Sequence, residues 1–129
     1  DKPIFVIKRS QEMLDLLNVK KDRLADPDSD RPQQPTYAQN ETRSRKPEVA
    51  VLVGLCTHLS CSPKYRPTIE PQTFDPEWAG GFYCPCHGSK FDLAGRVYAG
   101  VPAPSNLEVP PHYFETVDVI VIGEDGGLA

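Results

Sequence analysis

The chain has 129 residues, of which 39% are hydrophobic, and it carries a formal net charge of -4 at pH 7. This length suits one domain with a modest core. The acidic balance gives no electrostatic support for nucleic-acid binding, and no apolar run is long enough to cross a bilayer. Fourteen prolines and nine glycines predict a loop-rich fold built from strands.

The N-terminal region predicts a strand followed by a short helix. Residues 2–8 (KPIFVIK) are dense in branched and aromatic side chains, which is typical of a strand. Ser10 can cap a helix that runs to about Asn18. Its apolar side chains share one face, which we expect to cover the sheet: Met13, Leu14 and Leu17.

The middle of the chain divides into a polar stretch and an apolar one. Residues 22–47 are polar and carry four prolines, which predicts a long surface excursion or a mobile loop. Residues 49–55 (VAVLVGL) form a nearly continuous apolar run, which predicts a strand buried on both faces. This strand delivers Cys56 and His58 at its end.

A second excursion follows, and then a hairpin. Residues 62–83 carry prolines at 63, 67, 71 and 76, which predict an absence of regular structure. We expect Trp78 to pack over this loop. Residues 91–98, with a turn at Gly95, predict a hairpin.

The C-terminal region begins with a stiff loop at residues 100–104, which holds two prolines. Residues 107–109 and 117–122 predict the last strands. His112 follows two prolines and has no cysteine neighbour, so we expect an ordinary surface or turn residue.

Two short segments hold all four cysteines and two of the three histidines. The first motif is CTHLSC at 56–61, and the second motif is CPCHGS at 84–89. Their spacings are Cys-x-His and Cys-x-x-His. A mixed set of thiolate and imidazole donors suits zinc or an iron–sulfur cluster.

Three interpretations of the two motifs are open. A disulfide-only domain leaves His58 and His87 without a role. A structural zinc site could use two Cys and two His, or four Cys, although zinc ribbons usually repeat one C-x-x-C spacing. A 2Fe-2S cluster would place Cys56 and Cys84 on one iron and both histidines on the other. Its oxidised form would be neutral, which raises the reduction potential.

The motifs also carry a family resemblance. CTHLSC and CPCHGSKFD resemble the two cluster-binding segments of the Rieske iron–sulfur subunit of cytochrome bc complexes (ubiquinol:cytochrome c oxidoreductase). VPAPSNL (101–107) is similar to the proline loop of that family, and KPIFVIKRSQEML (2–14) to the start of the extrinsic domain in bacterial members.

The resemblance implies a mainly β fold and a single extrinsic domain. We expect an antiparallel β sandwich with one short helix. Its base would comprise about residues 1–54 and 108–129. A small cluster-binding subdomain would comprise about residues 55–107.

The resemblance also implies a ligand set. Residues at four positions match the metal ligands of the family: Cys56, His58, Cys84 and His87. Cys61 and Cys86 match its stabilising disulfide, which suits an oxidising compartment outside the cytoplasm.

Two further positions match residues around the cluster of the family, and two depart from them. Leu59 matches a residue that packs at the quinol-binding tip, and Ser89 matches a serine that donates to a bridging sulfide. Phe91 stands where the family usually has a tyrosine that donates to a ligand thiolate. Ser60 stands where the family often has glycine.

By resemblance, the chain is an electron-transfer subunit of quinol–cytochrome c reductase, and the isolated fragment would catalyse nothing alone. It would accept an electron from a ubiquinol-type quinol, with a coupled proton, and pass it to a c-type cytochrome. His87 would hydrogen-bond the quinol at cytochrome b, and His58 would be the other proton-coupled ligand.

The start at Asp1 rather than Met makes us expect a fragment cut from a longer precursor. An absent N-terminal anchor would hold the full protein at the periplasmic side of the bacterial inner membrane. The alternative is a Rieske ferredoxin-like module of a soluble oxidase or oxygenase. Such modules share the ligand spacings but normally lack the second cysteine pair.

Overall fold

Short antiparallel strands make up most of the regular structure in the computed structural model, which describes residues 2–18 and 21–126. The strands are β1 (Ile4–Lys8), β2 (Val49–Val53), β3 (Lys64–Arg66), β4 (Gly81–Tyr83), β5 (Lys90–Phe91), β6 (His112–Phe114) and β7 (Ile120–Ile122). They form three small sheets: β1 with β2, β4 in the centre between β3 and β5, and β6 with β7. The described residues contain one α-helix, α1 (Gln11–Leu16), and 3-10 turns at Lys21–Arg23 and Thr36–Ala38. The predicted fold class, mainly antiparallel β with one short helix, is confirmed.

The first sheet places a buried strand directly before the first motif. β1 and β2 are antiparallel, with Ile4 opposite Val53 and Lys8 opposite Val49. Residues 50–53 are buried, as the apolar run predicts. Gly54 follows, and a Cβ atom there would lie 2.6 Å from the ring of Phe5. Glycine therefore lets the Phe5 ring pack against the backbone that leads to the motif.

The short helix has the predicted cap and the predicted apolar face. The Ser10 hydroxyl accepts a hydrogen bond from the Met13 N–H at 3.2 Å. The helix ends at Leu16, two residues before the expected end. Its apolar side chains, together with Leu17, pack against Leu93 and Ala94. The helix therefore covers the turn of the hairpin rather than a broad sheet.

The excursion at 22–47 is anchored by buried polar side chains, so the prediction of a surface excursion is wrong in this respect. Arg43 is 0% exposed. Its guanidinium donates to the Ala94 carbonyl and to the Gln34 side chain, both at 3.1 Å. Hydrogen bonds to carbonyl oxygens make the burial of an arginine tolerable. The segment thus packs on the same hairpin turn as the helix.

The excursion at 62–83 contains two strands, so the prediction of no regular structure is also wrong. β3 lies between Pro63 and Pro67, and it pairs with β4 from Lys64↔Tyr83 to Arg66↔Gly81. Prolines that flank an edge strand remove no ladder hydrogen bond. Trp78 packs over this excursion as predicted, and its indole N–H donates to the Arg66 carbonyl at 3.0 Å.

The predicted hairpin at 91–98 is present, with Phe91 bridged to Val97. The predicted strand at 107–109 is absent, although the Val53 N–H donates to the Glu108 carbonyl at 2.8 Å. Only residues 120–122 of the predicted 117–122 are a strand, because 117–119 belong to the β6–β7 connection.

His112 contradicts the expectation of a surface residue. It lies in β6 and is 0% exposed. Its Nδ1 lies 2.8 Å from the Pro110 carbonyl oxygen. Tyr37 packs against the ring edge to face, at 5.8 Å between centroids. The Pro110 carbonyl is local, but Tyr37 comes from a distant part of the chain, so the local sequence could not reveal the burial of His112.

The main core lies directly under the two motifs. It unites residues from β1, β2, β4 and β5 with the first cysteine of each motif: Ile7, Ala50, Leu52, Phe82, Phe91, Cys56 and Cys84. Among the residues that the structure describes, no helix has the length and apolarity needed to cross a membrane.

Candidate metal centre

The two motifs adopt the same backbone loop. In the first, the Cys56 N–H donates to the Cys61 carbonyl at 2.7 Å, and the Ser60 N–H donates to the Cys56 carbonyl at 2.9 Å. In the second, the Cys84 N–H donates to the Ser89 carbonyl at 2.8 Å, and the Gly88 N–H donates to the Cys84 carbonyl at 2.9 Å. The fifth residue of each loop has a positive φ, 61° at Ser60 and 81° at Gly88.

These loops bring together the four residues that sequence predicts as metal ligands. Cys56 and Cys84 are buried and are not in a disulfide. The rings of His58 and His87 are nearly perpendicular, with centroids 4.7 Å apart. His58 is half-buried, whereas His87 is exposed. The two thiols therefore lie in the core, and one imidazole faces solvent.

One ring nitrogen lacks a hydrogen-bond partner. His58 Nδ1 is buried, and no described protein group bonds to it. A buried polar atom without a partner is costly, so its position needs an explanation. A metal ion at this nitrogen would supply the missing partner. The donor set of two buried thiols and two adjacent imidazoles fits a metal centre with mixed ligands.

The environment of Cys56 favours its neutral thiol in the absence of a metal. Burial raises the pKa of this thiol, and the neighbouring Cys84 thiol raises it further. Hydrogen bonds from the backbone N–H of His58 and from the Ser89 hydroxyl act in the opposite direction. A metal cation would remove the proton, because coordinated thiols are thiolates.

The remaining cysteines form the disulfide Cys61–Cys86, which joins the two motifs. Cys84 lies beside it, and the sulfur atoms of Cys61, Cys84 and Cys86 all lie within 4.8 Å of one another. Two of these sulfurs are bonded to each other, so the triad is not a metal site. The disulfide holds the two loops together independently of any metal.

A third loop supports both motifs, through contacts that sequence reasoning missed. The Thr57 hydroxyl donates to the Ser105 carbonyl at 2.6 Å. The Ser89 hydroxyl accepts from the Ala103 N–H at 2.9 Å. The position of Thr57 between two predicted ligands was the sequence feature that could have pointed to a role for this residue at the site. The proline-rich loop thus fixes the positions of both motifs.

The other predicted site residues lie at the surface or beneath the thiols. Leu59 is 62% exposed, so it presents an apolar side chain to solvent beside the histidines. Ser89 and Phe91 are both completely buried. The site therefore has a buried side under the thiols and an exposed side at Leu59 and His87.

Comparison with known proteins gives a consistent match. Residues 32–111 match the family model of the Rieske [2Fe-2S] domain. The chain is 54% identical over 128 residues to the "Ubiquinol-cytochrome c reductase iron-sulfur subunit" of Allochromatium vinosum, covering 99% of this chain and 62% of that protein. It is 41% identical over 123 residues to the "Cytochrome b-c1 complex subunit Rieske, mitochondrial" of Theropithecus gelada, and 39% identical to that of Bos taurus. In both cases the match covers 95% of this chain and 38% of the mitochondrial protein.

The chain thus spans 62% of the bacterial relative and 38% of the mitochondrial ones. The family match covers more than half of the chain and includes both motifs and the proline-rich loop. The buried thiols and the unpartnered His58 nitrogen suit the cofactor in the family description. The chain therefore belongs to the Rieske [2Fe-2S] domain family, and its cofactor is a 2Fe-2S cluster.

Proposed function

We propose that this chain is the electron-transfer domain of a quinol:cytochrome c oxidoreductase. Cys56 and Cys84 would hold one iron of the cluster, and His58 and His87 would hold the other. When bound, the cluster supplies one-electron transfer. The observation that carries the proposal is the exposure of His87 and Leu59 beside two buried thiols and the half-buried His58.

The exposed side of the site suits contact with a quinol. The Leu59 side chain offers an apolar surface, and the His87 ring offers a polar group next to it. A small, mostly apolar ligand with one hydroxyl needs such a combination. We infer that His87 bonds the quinol hydroxyl, in a pocket that cytochrome b completes.

The histidines also provide a place for the proton that the quinol loses. A ring nitrogen that does not bind iron can hold a proton. With one more electron at the site its charge would be lower by one, so a proton would be held more firmly at the ring nitrogen of His87 or His58 that does not bind iron. Electron and proton uptake are then coupled, with His87 as the solvent-facing group.

The partners follow from the same proposal. The relatives are named as subunits of ubiquinol–cytochrome c reductase and of the cytochrome b-c1 complex. We propose a c-type cytochrome as electron acceptor, a membrane anchor outside the present sequence, and the periplasmic side of a bacterial inner membrane. The division into a base (1–54 and 108–129) and a cluster-binding subdomain (55–107) belongs to the same proposal.

The first experiment is an EPR spectrum of the protein reduced with ascorbate. We expect a rhombic 2Fe-2S signal, because histidine ligation makes the potential high enough for this mild reductant. A signal that requires dithionite would support a low-potential oxygenase-type module instead. An absence of signal with both reductants, together with bound zinc, would overturn the proposal.

The second experiment measures the midpoint potential against pH, from about pH 6 to pH 10. Proton coupling predicts that the midpoint potential falls by about 59 mV per pH unit for each coupled proton. This slope applies over the pH range in which the oxidised form has lost the histidine proton and the reduced form still holds it. Replacing His112, which lies in a separate sheet, provides the control and leaves this slope unchanged. A midpoint that is flat over the whole range would exclude the proton-coupled role.

A further inference from the structure

A free cysteine lies beside the disulfide that joins the two motifs. The Cys84 sulfur lies within 4.8 Å of both disulfide sulfurs. Cys84 is buried and unpaired, whereas Cys86 is exposed. A thiolate next to a disulfide can exchange with it, and this reaction needs no oxidant. A bound cluster would occupy Cys84, if the proposed ligand set is correct, and so prevent this exchange.

We propose that loss of the cluster activates an internal thiol–disulfide exchange. The Cys84 thiolate forms a bond to the Cys61 sulfur, and the Cys61–Cys86 bond breaks. Its electron pair leaves on Cys86, which takes up the proton that Cys84 released. One disulfide and two thiols are present before and after the step. The product has a Cys61–Cys84 disulfide and an exposed, reactive thiol at Cys86.

Exposure and chain geometry select this product. The residue that carries the leaving sulfur, Cys86, is exposed, and nearby water would stabilise the departing thiolate. The other possible product, Cys84–Cys86, would close a small ring through Pro85, whose φ is fixed. Cys61 is separated from Cys84 by an excursion of 22 residues, numbers 62 to 83, so no such ring constrains the proposed pair.

The surrounding contacts favour Cys84 over the other free cysteine. The Cys56 sulfur is not among the three sulfurs that lie within 4.8 Å of one another. The two loops share a backbone conformation, but the second carries an additional cysteine at its third position, where the first carries His58. The disulfide is therefore next to the Cys84 side of the centre.

The exchange has a consequence for cluster loading. It consumes Cys84, so a chain that has lost its cluster could not bind a new one until the original disulfide is restored. It also marks such a chain with a surface thiol at Cys86. Cys84 and the Cys61–Cys86 disulfide would thus act together as a sensor of cofactor loss.

The test follows the disulfide pattern after iron is removed. The loaded protein is treated with an iron chelator under anaerobic conditions at one fixed pH, and cluster loss is followed by visible absorbance. Samples are quenched with N-ethylmaleimide, and the disulfides are mapped by peptide mass spectrometry. We expect Cys61–Cys86 before treatment. Afterwards we expect Cys61–Cys84, with label at Cys56 and Cys86.

Two matched variants isolate the proposed nucleophile. Cys56→Ser and Cys84→Ser each remove one of the two unpaired thiols. Both residues are proposed cluster ligands, so these two variants are mapped as cluster-free chains, without the chelation step. We expect Cys61–Cys84 in the Cys56→Ser chain and an unchanged Cys61–Cys86 bond in the Cys84→Ser chain. In the wild-type chain, disulfides of Cys84 should exceed those of Cys56 by roughly tenfold or more, because only Cys84 begins beside the disulfide.

Three outcomes would overturn the proposal. The first is survival of Cys61–Cys86 after complete loss of the cluster absorbance. The second is a Cys84–Cys86 product. The third is a mixture in which Cys56 participates as often as Cys84, which would indicate random exchange in an unfolded chain. The absorbance at the start reports cluster binding separately, so failure of the exchange cannot be mistaken for failure of the proposed function.

Discussion

Phe91 occupies a completely buried position on β5, in the same core cluster as Cys56 and Cys84. By the resemblance described above, Phe91 stands where the family usually has a tyrosine whose hydroxyl donates to a ligand thiolate. Such a bond withdraws electron density from sulfur and favours the reduced state. The absence of the hydroxyl therefore predicts a lower potential in this chain than in its tyrosine-bearing relatives.

The substitution Phe91→Tyr tests this expectation. One hydrogen bond worth about 1 kcal/mol corresponds to about 40 mV for a one-electron couple, so the midpoint should rise by that amount. A protein-film voltammogram measures it. Phe114→Tyr, the same change in a half-buried residue of β6, serves as the control and should leave the midpoint unchanged. An unchanged or lowered midpoint in Phe91→Tyr would contradict the prediction.

Ser60 carries backbone strain within the first motif. Its φ is 61°, and the side chain is exposed, with no hydrogen bond from its hydroxyl to the described residues. Gly88 takes the corresponding position in the second motif. A left-handed conformation costs a non-glycine residue about 1–2 kcal/mol. Part of the gain from glycine is lost to the greater freedom of the unfolded chain.

Ser60→Gly should consequently stabilise the folded protein by about 0.5–1 kcal/mol. Urea unfolding of the loaded protein provides the measurement. Ser62→Gly is the matched control, since Ser62 is exposed and is not among the non-glycine residues with positive φ. Glycine should give no stabilisation there. Equal effects of the two substitutions would show that the strain at Ser60 is unimportant.

At the scale of elements, one buried carboxylate holds the 62–83 excursion against the rest of the fold. Asp75 is 2% exposed. It accepts from the Arg23 guanidinium at 2.6 Å, the Lys90 ammonium at 3.3 Å and the Glu77 N–H at 2.9 Å. Burial alone would raise the pKa of Asp75, but these three hydrogen bonds outweigh it and lower the pKa.

Asp75→Asn should destabilise the protein by about 2–3 kcal/mol, because two cations lose their partner. The effect stays below that of a fully buried pair, since the side chain of Arg23 is 25% exposed. Because the folded-state pKa is lowered, the stabilisation by Asp75 is present above its unfolded pKa of about 3.9 and is lost as the pH falls towards the folded value.

Denaturant unfolding at pH 7 and near pH 3 measures both the predicted loss of stability and its predicted dependence on pH. The variant should lose stability at pH 7 and show less acid sensitivity than the wild type. Asp118→Asn, in the exposed β6–β7 connection, is the control and should change neither. If Asp75→Asn matched the wild type at pH 7, the excursion would not depend on this carboxylate.

At the scale of the whole molecule, His112 links the C-terminal sheet to the 22–47 segment. The His112 N–H donates to the Tyr37 hydroxyl at 3.0 Å, and the Arg45 guanidinium donates to the His112 carbonyl at 2.7 Å. Its Nε2 is buried without a partner among the described residues. Burial lowers the pKa of His112, the bond to the Pro110 carbonyl opposes this, and Arg45 adds to the lowering.

The neutral form of His112 should make the molecule sensitive to mild acid. The unfolded chain binds a proton at about pH 6.5, whereas the folded chain resists it, so stability falls as the pH drops below 6.5 towards the lower folded value. Unfolding midpoints between pH 7.5 and 5.5 should show this loss in the wild type and a smaller loss in His112→Phe. An identical pH dependence in both proteins would assign the acid sensitivity to other groups.

The sequence was informative where local pattern decides the structure. The branched run at 49–55 predicted a buried strand, Ser10 predicted a helix start, and the two motifs predicted where the donors meet. It was misleading for Arg43 and His112, because their burial depends on groups from distant segments: the Ala94 carbonyl for Arg43 and the Tyr37 ring for His112. β3 was missed because its flanking prolines resemble loop signals, yet they leave the three strand residues free to pair.

The paired strands β3 and β4 close the second excursion at its base, and the disulfide closes it again just outside them. The far end, residues 68–73, is mostly exposed. The number of residues in that far end therefore does not affect the distance between the two motifs. Insertions or a grafted reporter peptide between Thr68 and Thr73 should leave the cofactor geometry intact. Evolution has the same freedom, so this end of the excursion is where members of the family can diverge in length at little cost.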